Sequence, residues 1–375
     1  MSSFWKDKPI VKKDQITPLV NIIDENISNK YPKQNAMFEP YIWTDIDISK
    51  DTDCQMVCDF LNKYYKVFRT NNKFGFNYTM DYLRWSLGKN IVIGMQTNVE
   101  NGSKLGGLIC GSIRKYQVFN KELDIGQCNY LCVHPKLHHK NVGTLLINEL
   151  TRVFISNNIT VGSFASQREV GRPICKIEYY HRPLNYTKLH DNGFVSFEGN
   201  NDIQDLFTIH YKHRYQVERL EPKYYDEVYK LFTTYHDRYN FYEKYTLDEF
   251  IRVFTNKIMH TYVLIENNNI IDFFSYYQLP YKVSDKDGDI LINAVYLYTY
   301  TIHNTTQLTI FKSALLCAQE DKFDIFTAPD TMENMDVLFD NFSKFDKSDN
   351  ALYHNFFNLT CPDIKPEQMS VCVLR

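Results

Sequence analysis

A cluster of histidines and lysines stands between two apolar segments at residues 129–150, NYLCVHPKLHHKNVGTLLINEL. Residues 130–133 are apolar and favour a strand, whereas Val142, Leu146 and Leu150 recur at helical spacing. The polar residues therefore form a turn from a strand into a helix. Such a turn directs the free N–H groups of the first helical turn toward one point, where the helix dipole and nearby lysines favour an anion. A pyrophosphate group fits a site of this kind.

Two other interpretations of the same residues remain open. His134 and His138 are possible zinc ligands, but Pro135 prevents one continuous helix from presenting both, and no H-E-x-x-H arrangement is present. A solvated basic loop that binds nothing explains the residue types as well.

The composition indicates a folded chain with reduced cysteines. Its 375 residues, 44% of them hydrophobic, suffice for one large or two ordinary domains. The formal net charge of -3 excludes an overall basic field, so we expect no nucleic-acid partner. Nine cysteines without a C-x-x-C pair predict free thiols and a cytoplasmic location. No signal peptide and no membrane span is predicted, because no apolar run reaches about 18 residues.

Hydrophobic periodicity divides the chain near a polar segment at 211–223. On each side of it a helical pattern comes first, then strands, then a second helix. The predicted segments are 57–65, 92–96, 106–113, 130–133 and 142–153 before the division, and 224–232, 261–266, 270–279 and 311–318 after it. This repetition predicts two related α/β units.

The turn at 138–143 resembles the acyl-CoA signature of the GNAT superfamily of acetyltransferases. That signature is Gln or Arg, two variable residues, Gly, one variable residue, then Gly or Ala. Gly143 fits the last position, whereas His138 replaces the Gln or Arg and Asn141 replaces the first Gly. The match is partial.

Longer segments resemble, in the same order, those of the glycylpeptide N-myristoyltransferases, a family of two fused acetyltransferase-like halves. The segments are FW with a following Pro at 4–9, EPY at 39–41, FGFNYTMDYLRW at 74–85, NYLCVH at 129–134, YYHRPLNYTKL at 179–189, DFFSYYQLP at 272–280, FDIFTAPDTMEN at 323–334 and LYHNFFNLTCP at 352–362. The resemblance implies a mixed α/β sheet built from two GNAT-like halves with pseudo-two-fold symmetry. It also implies that residues 1–212 bind myristoyl-CoA and residues 213–375 bind the peptide. We expect a monomer.

The resemblance implies transfer of a myristoyl group from myristoyl-CoA to the amino group of an N-terminal glycine. The family's two oxyanion-binding backbone amides align with Tyr130 and Leu131, and its amine-binding asparagine aligns with Asn129. Its proton acceptor is the C-terminal carboxylate, which here belongs to Arg375. Apolar residues alternate before Arg375 and predict a buried final strand, and burial makes a carboxylate a stronger base.

Two further sets of residues follow from the resemblance, and no metal is implied. The expected myristoyl-CoA contacts are Phe4, Trp5, Tyr130, Leu131, Cys132, Val133, Lys136, His138, His139, Lys140, Asn141, Val142, Gly143, Thr144 and Leu145. The expected peptide contacts are Tyr65, Phe74, Phe76, Ala165, Ser166, His181, Asn185, Tyr277 and Asp349.

Several positions depart from the family pattern. Histidines replace arginines in the phosphate turn, Ala165 replaces an amine-binding threonine, and residues 345–350 lack the family's glycines. These changes leave open an acyltransferase for another acyl chain or for lysine, or a catalytically impaired homologue that binds acyl-CoA or peptide.

We predict weak selection for basic residues in the substrate peptide. The family places three acidic residues after the helix that corresponds to 57–65, whereas this chain has YKVFRTNNK at 65–73, with no acid. A basic groove repels a basic peptide. Arrays of glycine peptides with Lys, Ala or Glu several positions after the glycine would measure this selection. A preference for Lys as strong as in a typical family member would contradict the prediction.

Overall fold

The computed structural model describes residues 3–65, 74–88, 90–97, 104–195, 207–285, 288–340 and 344–375. In these ranges the α-helices are α1 (Asp51–Tyr64), α2 (Met80–Leu87), α3 (Val142–Ser156), α4 (Tyr186–Asp191), α5 (Tyr225–His236), α6 (Leu247–Phe254), α7 (Gln307–Glu320) and α8 (Met335–Leu338). Short 3₁₀ helices lie at Ser3–Trp5, Ile27–Lys30, Pro135–Lys140, Pro222–Tyr224 and Pro366–Gln368.

Most of the strands join one large mixed sheet. They are β1 (Asn21–Ile22), β2 (Tyr41–Asp45), β3 (Phe74–Phe76), β4 (Asn90–Thr97), β5 (Leu105–Val118), β6 (Lys121–Val133), β7 (Gly162–Ser166), β8 (Cys175–Pro183), β9 (Gln216–Arg219), β10 (Phe241–Glu243), β11 (Met259–Glu266), β12 (Asn269–Gln278), β13 (Tyr281–Asp285), β14 (Gly288–Ile292), β15 (Ala294–Tyr300), β16 (Ile325–Pro329), β17 (Asp346–Phe357), β18 (Leu359–Thr360) and β19 (Met369–Ser370). Strands β1 and β18 form a separate pair, and β3, β13 and β14 form a small third sheet.

The same order of elements occurs twice along the chain. The first unit has α1 and α2, the antiparallel strands β4, β5 and β6, then α3, and then β7 parallel to β6. The second unit repeats this with α5 and α6, the antiparallel strands β11, β12 and β15, then α7, and then β16 parallel to β15. The mixed α/β sheet expected from the sequence is therefore confirmed, and the repeated order agrees with two related units.

The two units exchange strands where they meet. Strand β8 follows the first unit but pairs with β16 of the second, and β17 follows the second unit but pairs with β7 of the first. Strands β8 and β17 also pair with each other. One continuous sheet therefore crosses from unit to unit, and the position of each unit is fixed by backbone hydrogen bonds.

Each unit has an irregularity next to its parallel strand pair. Cys110 and Gly111 of β5 lie opposite Tyr130 and Cys128, so Asn129 is an extra residue on β6. In the second unit, Tyr298 is the extra residue on β15. In the second unit, residues 370–373 fill the space beside this irregularity and leave a cavity of only about 20 Å³.

Helix α3 lies against the sheet through one apolar face. Val142, Leu146, Leu150 and Phe154 are buried there, at the helical spacing expected from the sequence. The ring of Phe154 lies so close to β5 that a Cβ at Gly111 would be 2.6 Å from its Cζ atom. This close approach holds the C-terminal end of α3 against β5, and Val142 at the start of the helix lies against Gly107 of the same strand.

The end of the chain differs from the sequence-based expectation. A buried final strand was predicted from the alternation of Val371, Val373 and Leu374, but the last strand is β19, and the chain then turns. The N–H of Arg375 donates to the carbonyl oxygen of Cys372. The turn brings the Arg375 side chain inward, where it is 3% exposed. The predicted burial is therefore present, but the predicted strand is wrong.

The described parts of the chain contain no α-helix that is both long enough and apolar enough to cross a membrane. All nine cysteines are free thiols, and seven of them are buried.

We predict that Gly111→Ala destabilises the protein by about 1–3 kcal/mol, because the added methyl group overlaps well-packed neighbours. Besides Phe154, a Cβ there would lie 2.9 Å from Leu150 Cδ1 and 3.1 Å from the Gln127 carbonyl oxygen. Urea unfolding measures the change as a shift of the transition midpoint. Gly75→Ala is the matched control, since a Cβ at Gly75 meets nothing within 4 Å. Equal stability of the two variants would contradict the prediction.

Candidate active site

The parallel strands β6 and β7 separate after a short contact. They pair only from Gly126 to Cys128 on β6 and from Gly162 to Phe164 on β7, although β6 continues to Val133. The extra residue Asn129 lies where the separation begins. Backbone groups on this edge of β6 have no strand partner in the described ladder and are free to bind a ligand.

An apolar cavity of about 230 Å³ opens between the separated strands and helix α3. Its wall is formed mainly by side chains of α3, β6, β7 and the segment between α3 and β7. They include Ile109, Leu131, Ile147, Leu150, Thr151, Phe154, Ile155, Ile159, Val161, Phe164 and Val170. A cavity of this composition suits a hydrocarbon chain.

The N-terminal segment covers one side of this apolar cavity. Trp5 lines the cavity and stacks on Phe164, with ring centroids 4.9 Å apart. Phe4 packs edge-on against Trp5, and the Lys8 ammonium donates to Asn148 Oδ1 at 2.8 Å. Of the two predicted N-terminal residues, Trp5 lies in the cavity wall and Phe4 packs behind it, and a polar contact ties the segment to α3.

The turn from β6 to α3 presents positive charge at the end of the separated strand. Lys136, His138, His139 and Lys140 are exposed, and no side chain caps the first turn of α3. His138 Nε2 donates to the Val133 carbonyl oxygen at 3.0 Å. The uncapped amides of Val142, Gly143 and Thr144 thus lie beside four basic side chains, an arrangement that suits an anion, and anion binding here stays a prediction.

The alternative reading of the histidines as metal ligands gains no support from the geometry. His134 Nδ1 accepts the backbone N–H of Lys136 at 3.2 Å, which occupies the lone pair of that nitrogen. The ring of His134 also packs on Tyr64, with centroids 4.6 Å apart.

A second cavity, of about 440 Å³, adjoins the first and is rich in aromatic side chains. Six residues line both cavities: Tyr65, Cys128, Asn129, Leu131, Ala165 and Ser166. This aromatic cavity also receives Leu279, Tyr281, Tyr296 and Leu374 from the second half of the chain. A molecule in one cavity therefore meets a molecule in the other beside Asn129.

His181 lies in the wall of the aromatic cavity and is neutral at pH 7. Its Nδ1 atom is 2.9 Å from Thr327 Oγ1, and burial lowers the pKa of His181 to about 4. A neutral imidazole does not repel a cationic substrate group.

Val373 and Leu374 line the aromatic cavity, and Arg375, which follows them, lines neither cavity. Tyr82 Oη donates to the Leu374 carbonyl oxygen at 2.6 Å, and Gln127 Nε2 donates to the terminal oxygen of Arg375 at 2.7 Å. Gln127 stands two residues before Asn129 on β6. The terminal carboxylate is therefore held next to the strand that carries the free amides.

The side chain of Arg375 enters a buried polar cluster. Its guanidinium donates to both carboxylate oxygens of Glu243, at 2.9 and 2.8 Å, and to Tyr245 and Tyr298. Burial alone would raise the pKa of Glu243, but the cations of Arg375 and Arg114 lower it below its ordinary value. Glu243 is therefore a carboxylate at neutral pH.

Some of the predicted peptide contacts lie elsewhere. Tyr65, Phe76, Ala165, Ser166 and His181 line the aromatic cavity, as do Tyr130 and Leu131. Four others are not in its lining: Phe74, Asn185, Tyr277 and Asp349. The basic segment at 66–73 lies outside the described residues.

The geometry of two of these four residues explains their positions. Asn185 caps α4 by accepting the N–H of Lys188, and it donates to Asp324 Oδ1 at 2.9 Å. Tyr277 is 1% exposed and packs against Trp85 and Tyr296. Both residues thus stabilise the fold around the site.

Sequence reasoning missed the polar residues that hold the C-terminus. These are Tyr82, Ser112, Arg114, Gln127 and Glu243, all of them buried. A usable signal existed for Arg114 and Glu243, because a charged residue inside an apolar strand requires a partner. The identity of the partners was not available from local sequence.

Comparisons with known proteins agree with this geometry. Residues 22–177 match the N-terminal domain of myristoyl-CoA:protein N-myristoyltransferase, and residues 194–373 match its C-terminal domain. A probable glycylpeptide N-tetradecanoyltransferase of Caenorhabditis elegans is 28% identical over 98% of this chain and 84% of its own length. The glycylpeptide N-tetradecanoyltransferase of Plasmodium falciparum is 27% identical over 99% of this chain and 93% of its own length.

A solved structure shows the same fold. The Saccharomyces cerevisiae N-myristoyltransferase with bound myristoyl-CoA superposes with a TM-score of 0.86, at 23% identity, over 97% of this chain and 94% of the yeast chain. With both domains matched in order, this chain belongs to the myristoyl-CoA:protein N-myristoyltransferase family.

Proposed function

We propose that this protein transfers a myristoyl group from myristoyl-CoA to the α-amino group of an N-terminal glycine. The names of its relatives support this reaction. The observation that carries the proposal for this chain is the junction of the apolar and aromatic cavities at Asn129 and Leu131. There an acyl carbonyl in one cavity and an amine in the other come into contact.

The edge of β6 would stabilise the reaction's negative charge. When the amine attacks the thioester carbonyl, the carbonyl oxygen becomes an oxyanion. The backbone amides of Tyr130 and Leu131 are the proposed donors, and one such fixed donor contributes about 3 kcal/mol to transition-state stabilisation. The side chains of these residues supply none of this effect, so the tyrosine at position 130 is compatible with the reaction.

The terminal carboxylate of Arg375 would accept a proton from the glycine ammonium. Asn129 would hold the amine through Oδ1, whose second lone pair is free after it accepts from Ser112 Oγ at 3.2 Å. The new C–N bond then forms, the C–S bond breaks, and the CoA thiolate leaves. The amine's second proton neutralises that thiolate, so the charges balance.

The remaining residues would bind the two substrates. Lys136, His138, His139, Lys140 and the first amides of α3 would hold the CoA phosphates. The apolar cavity would hold the acyl chain under Phe4 and Trp5, and the aromatic cavity would hold the peptide. Since that cavity is lined from both halves of the chain, peptide contacts extend beyond residues 213–375. A cytoplasmic location and a monomeric state stay predictions.

We predict that one glycine added after Arg375 abolishes turnover and leaves the fold and myristoyl-CoA binding intact. The addition moves the carboxylate by about 3.8 Å and leaves a neutral amide in its place. A general base contributes roughly 10² to 10⁴ in rate, so kcat should fall by at least about 100-fold. Release of CoA from myristoyl-CoA and a glycine peptide measures it. Normal turnover would refute the role of the terminus.

A control protein of unchanged length shows whether the lost carboxylate charge or the added residue causes the loss of turnover. Cys372 permits ligation of the synthetic tetrapeptide Cys-Val-Leu-Arg to residues 1–371, with either a free acid or an amide at its end. The acid should restore turnover, and the amide should not. Mass spectrometry of the acylated peptide identifies the acyl chain and the modified amine. Acylation of a lysine, or binding without turnover, would instead support the corresponding alternative function.

We also predict that myristoyl-CoA binds more weakly to the double variant His138→Gln, His139→Gln than to the wild type, because the proposed phosphate site loses two basic side chains. Titration calorimetry of the two proteins measures the difference. His190→Gln, on exposed α4, is the control. Equal affinity of the double variant and the wild type would exclude these histidines.

A further inference from the structure

A chain of polar contacts joins Arg375, whose carboxylate would accept the proton, to Asn129, which would bind the amine. From Glu243 one branch leads to Arg375, through the two hydrogen bonds of 2.9 and 2.8 Å. The other branch leads to Asn129: Arg114 Nη1 is 3.4 Å from Glu243 Oε2, and Arg114 Nε donates to Ser112 Oγ at 3.1 Å. Ser112 Oγ then donates to Asn129 Oδ1 at 3.2 Å.

Each link between these ends is removed from solvent. Ser112, Arg114, Glu243 and Arg375 are 1%, 8%, 7% and 3% exposed. Hydrogen bonds in such surroundings are strong, and a missing partner is costly. The chain is therefore a rigid connection between the terminus and Asn129.

The charges of this cluster balance only when the terminal carboxylate is counted. Two guanidinium groups face a single carboxylate side chain, Glu243. Burial raises the pKa of Tyr245 and of Tyr298, so both phenols are neutral at pH 7. The carboxylate of Arg375 supplies the second negative charge. Because an unbalanced buried charge is strongly unfavourable, this balance favours one position of the chain end.

The strand that carries Glu243 also lies between the strands that lead to Arg375 and to Asn129. It pairs with Tyr116 of β5, and the same short strand β10 pairs with β19, which leads into the terminus. Strand β5 in turn carries Ser112 and Arg114. The residue thus stands between the strand that precedes the base and the strand that supports Asn129.

We propose that Glu243 is a positioning residue that holds the proton acceptor and the amine-binding Asn129 at a fixed separation. This inference rests on the proposed function. Glu243 touches neither substrate and acts through Arg375 on one side and through Arg114 and Ser112 on the other. Misplacement of a reacting group by about 1 Å lowers the rate roughly 100-fold, so a rigid connection between the two groups would keep the rate high.

Three variants separate the two branches. Arg375→Leu keeps the terminal carboxylate and removes the first branch, and it should lower kcat roughly tenfold with an unchanged peptide KM. Ser112→Ala removes the second branch and should raise the peptide KM roughly tenfold with little change in kcat. Glu243→Gln should produce both effects. In every variant the KM for myristoyl-CoA should stay within about twofold of the wild-type value.

A matched control and a double variant exclude a loss of stability as the cause. Glu149→Gln weakens another ion pair of a buried glutamate, that of Glu149 with the partly exposed Arg152, and neither residue lines the two cavities. It should lower Tm and leave all kinetic constants unchanged. Because Glu243 acts on the base through Arg375, the double variant Glu243→Gln, Arg375→Leu should have the kcat of Glu243→Gln alone.

The outcomes distinguish this inference from the proposed function. Wild-type protein that releases no CoA would overturn both. An active wild type whose Glu243→Gln variant loses only Tm would overturn the inference alone. If Glu243→Gln does not fold, Arg375→Leu and Ser112→Ala still test the inference, since both keep the contact of Glu243 with Arg114. The expected split of kcat and KM between them supports the inference, and equal kinetic behaviour of the two would overturn it.

Discussion

The separation of two parallel strands is the constraint on which the site depends. Strands β6 and β7 stay together through Cys128 and then part, so that the sheet opens without losing its continuity on either side. The opening exposes backbone donors on one wall and gives space for an apolar chain between the other wall and α3. If the strands remained paired to Val133, the donors would be used within the sheet and the apolar cavity would close. The extra residue Asn129 marks the point of separation, and its polar side chain stands immediately before the apolar end of the strand, residues 130–133.

The second requirement is a charged chain end held inside the protein. A buried carboxylate and a buried guanidinium are each unfavourable in isolation, and the fold accepts them because they occur together with Glu243 and Arg114. Such a group of four charges adds little net stability compared with apolar packing. Its larger effect is on conformation, because all four groups find their hydrogen-bond partners in one arrangement only. The terminus is thus ordered by electrostatics as much as by packing.

Sequence reasoning predicted the parts of this protein that are local. The turn at 134–144, the helix that follows it and the free amides next to it lie within about one element of each other, so periodicity and residue type are informative. The repeated order of helices and strands was also predictable. The contacts of Glu243 with Arg114 and Arg375 span 129 and 132 residues and arise only from the sheet order.

The details that local sequence could not supply share a physical origin. Alternation at the chain end suggested a strand, but the last residue turns inward to reach Glu243, and a tertiary contact overrides the local preference. Asn185 matches a family segment, yet its side chain is consumed by a helix cap and by Asp324. The roles of residues 66–73 in peptide selection depend on a part of the chain outside the described ranges.

The pairing irregularity at Tyr298 in the second unit has a consequence for stoichiometry. Both units of the fold carry an extra residue beside a parting strand pair, and so both could have offered an opening to an acyl-CoA. In the second unit that opening is taken by the protein's own residues 370–373, and Tyr298 binds Arg375 instead of a substrate. The carboxyl-terminal segment is in effect a permanent intramolecular ligand of the second unit. Under the proposed function, such a chain would carry one thioester at a time, and the unit whose opening is filled would supply the other unit with its base.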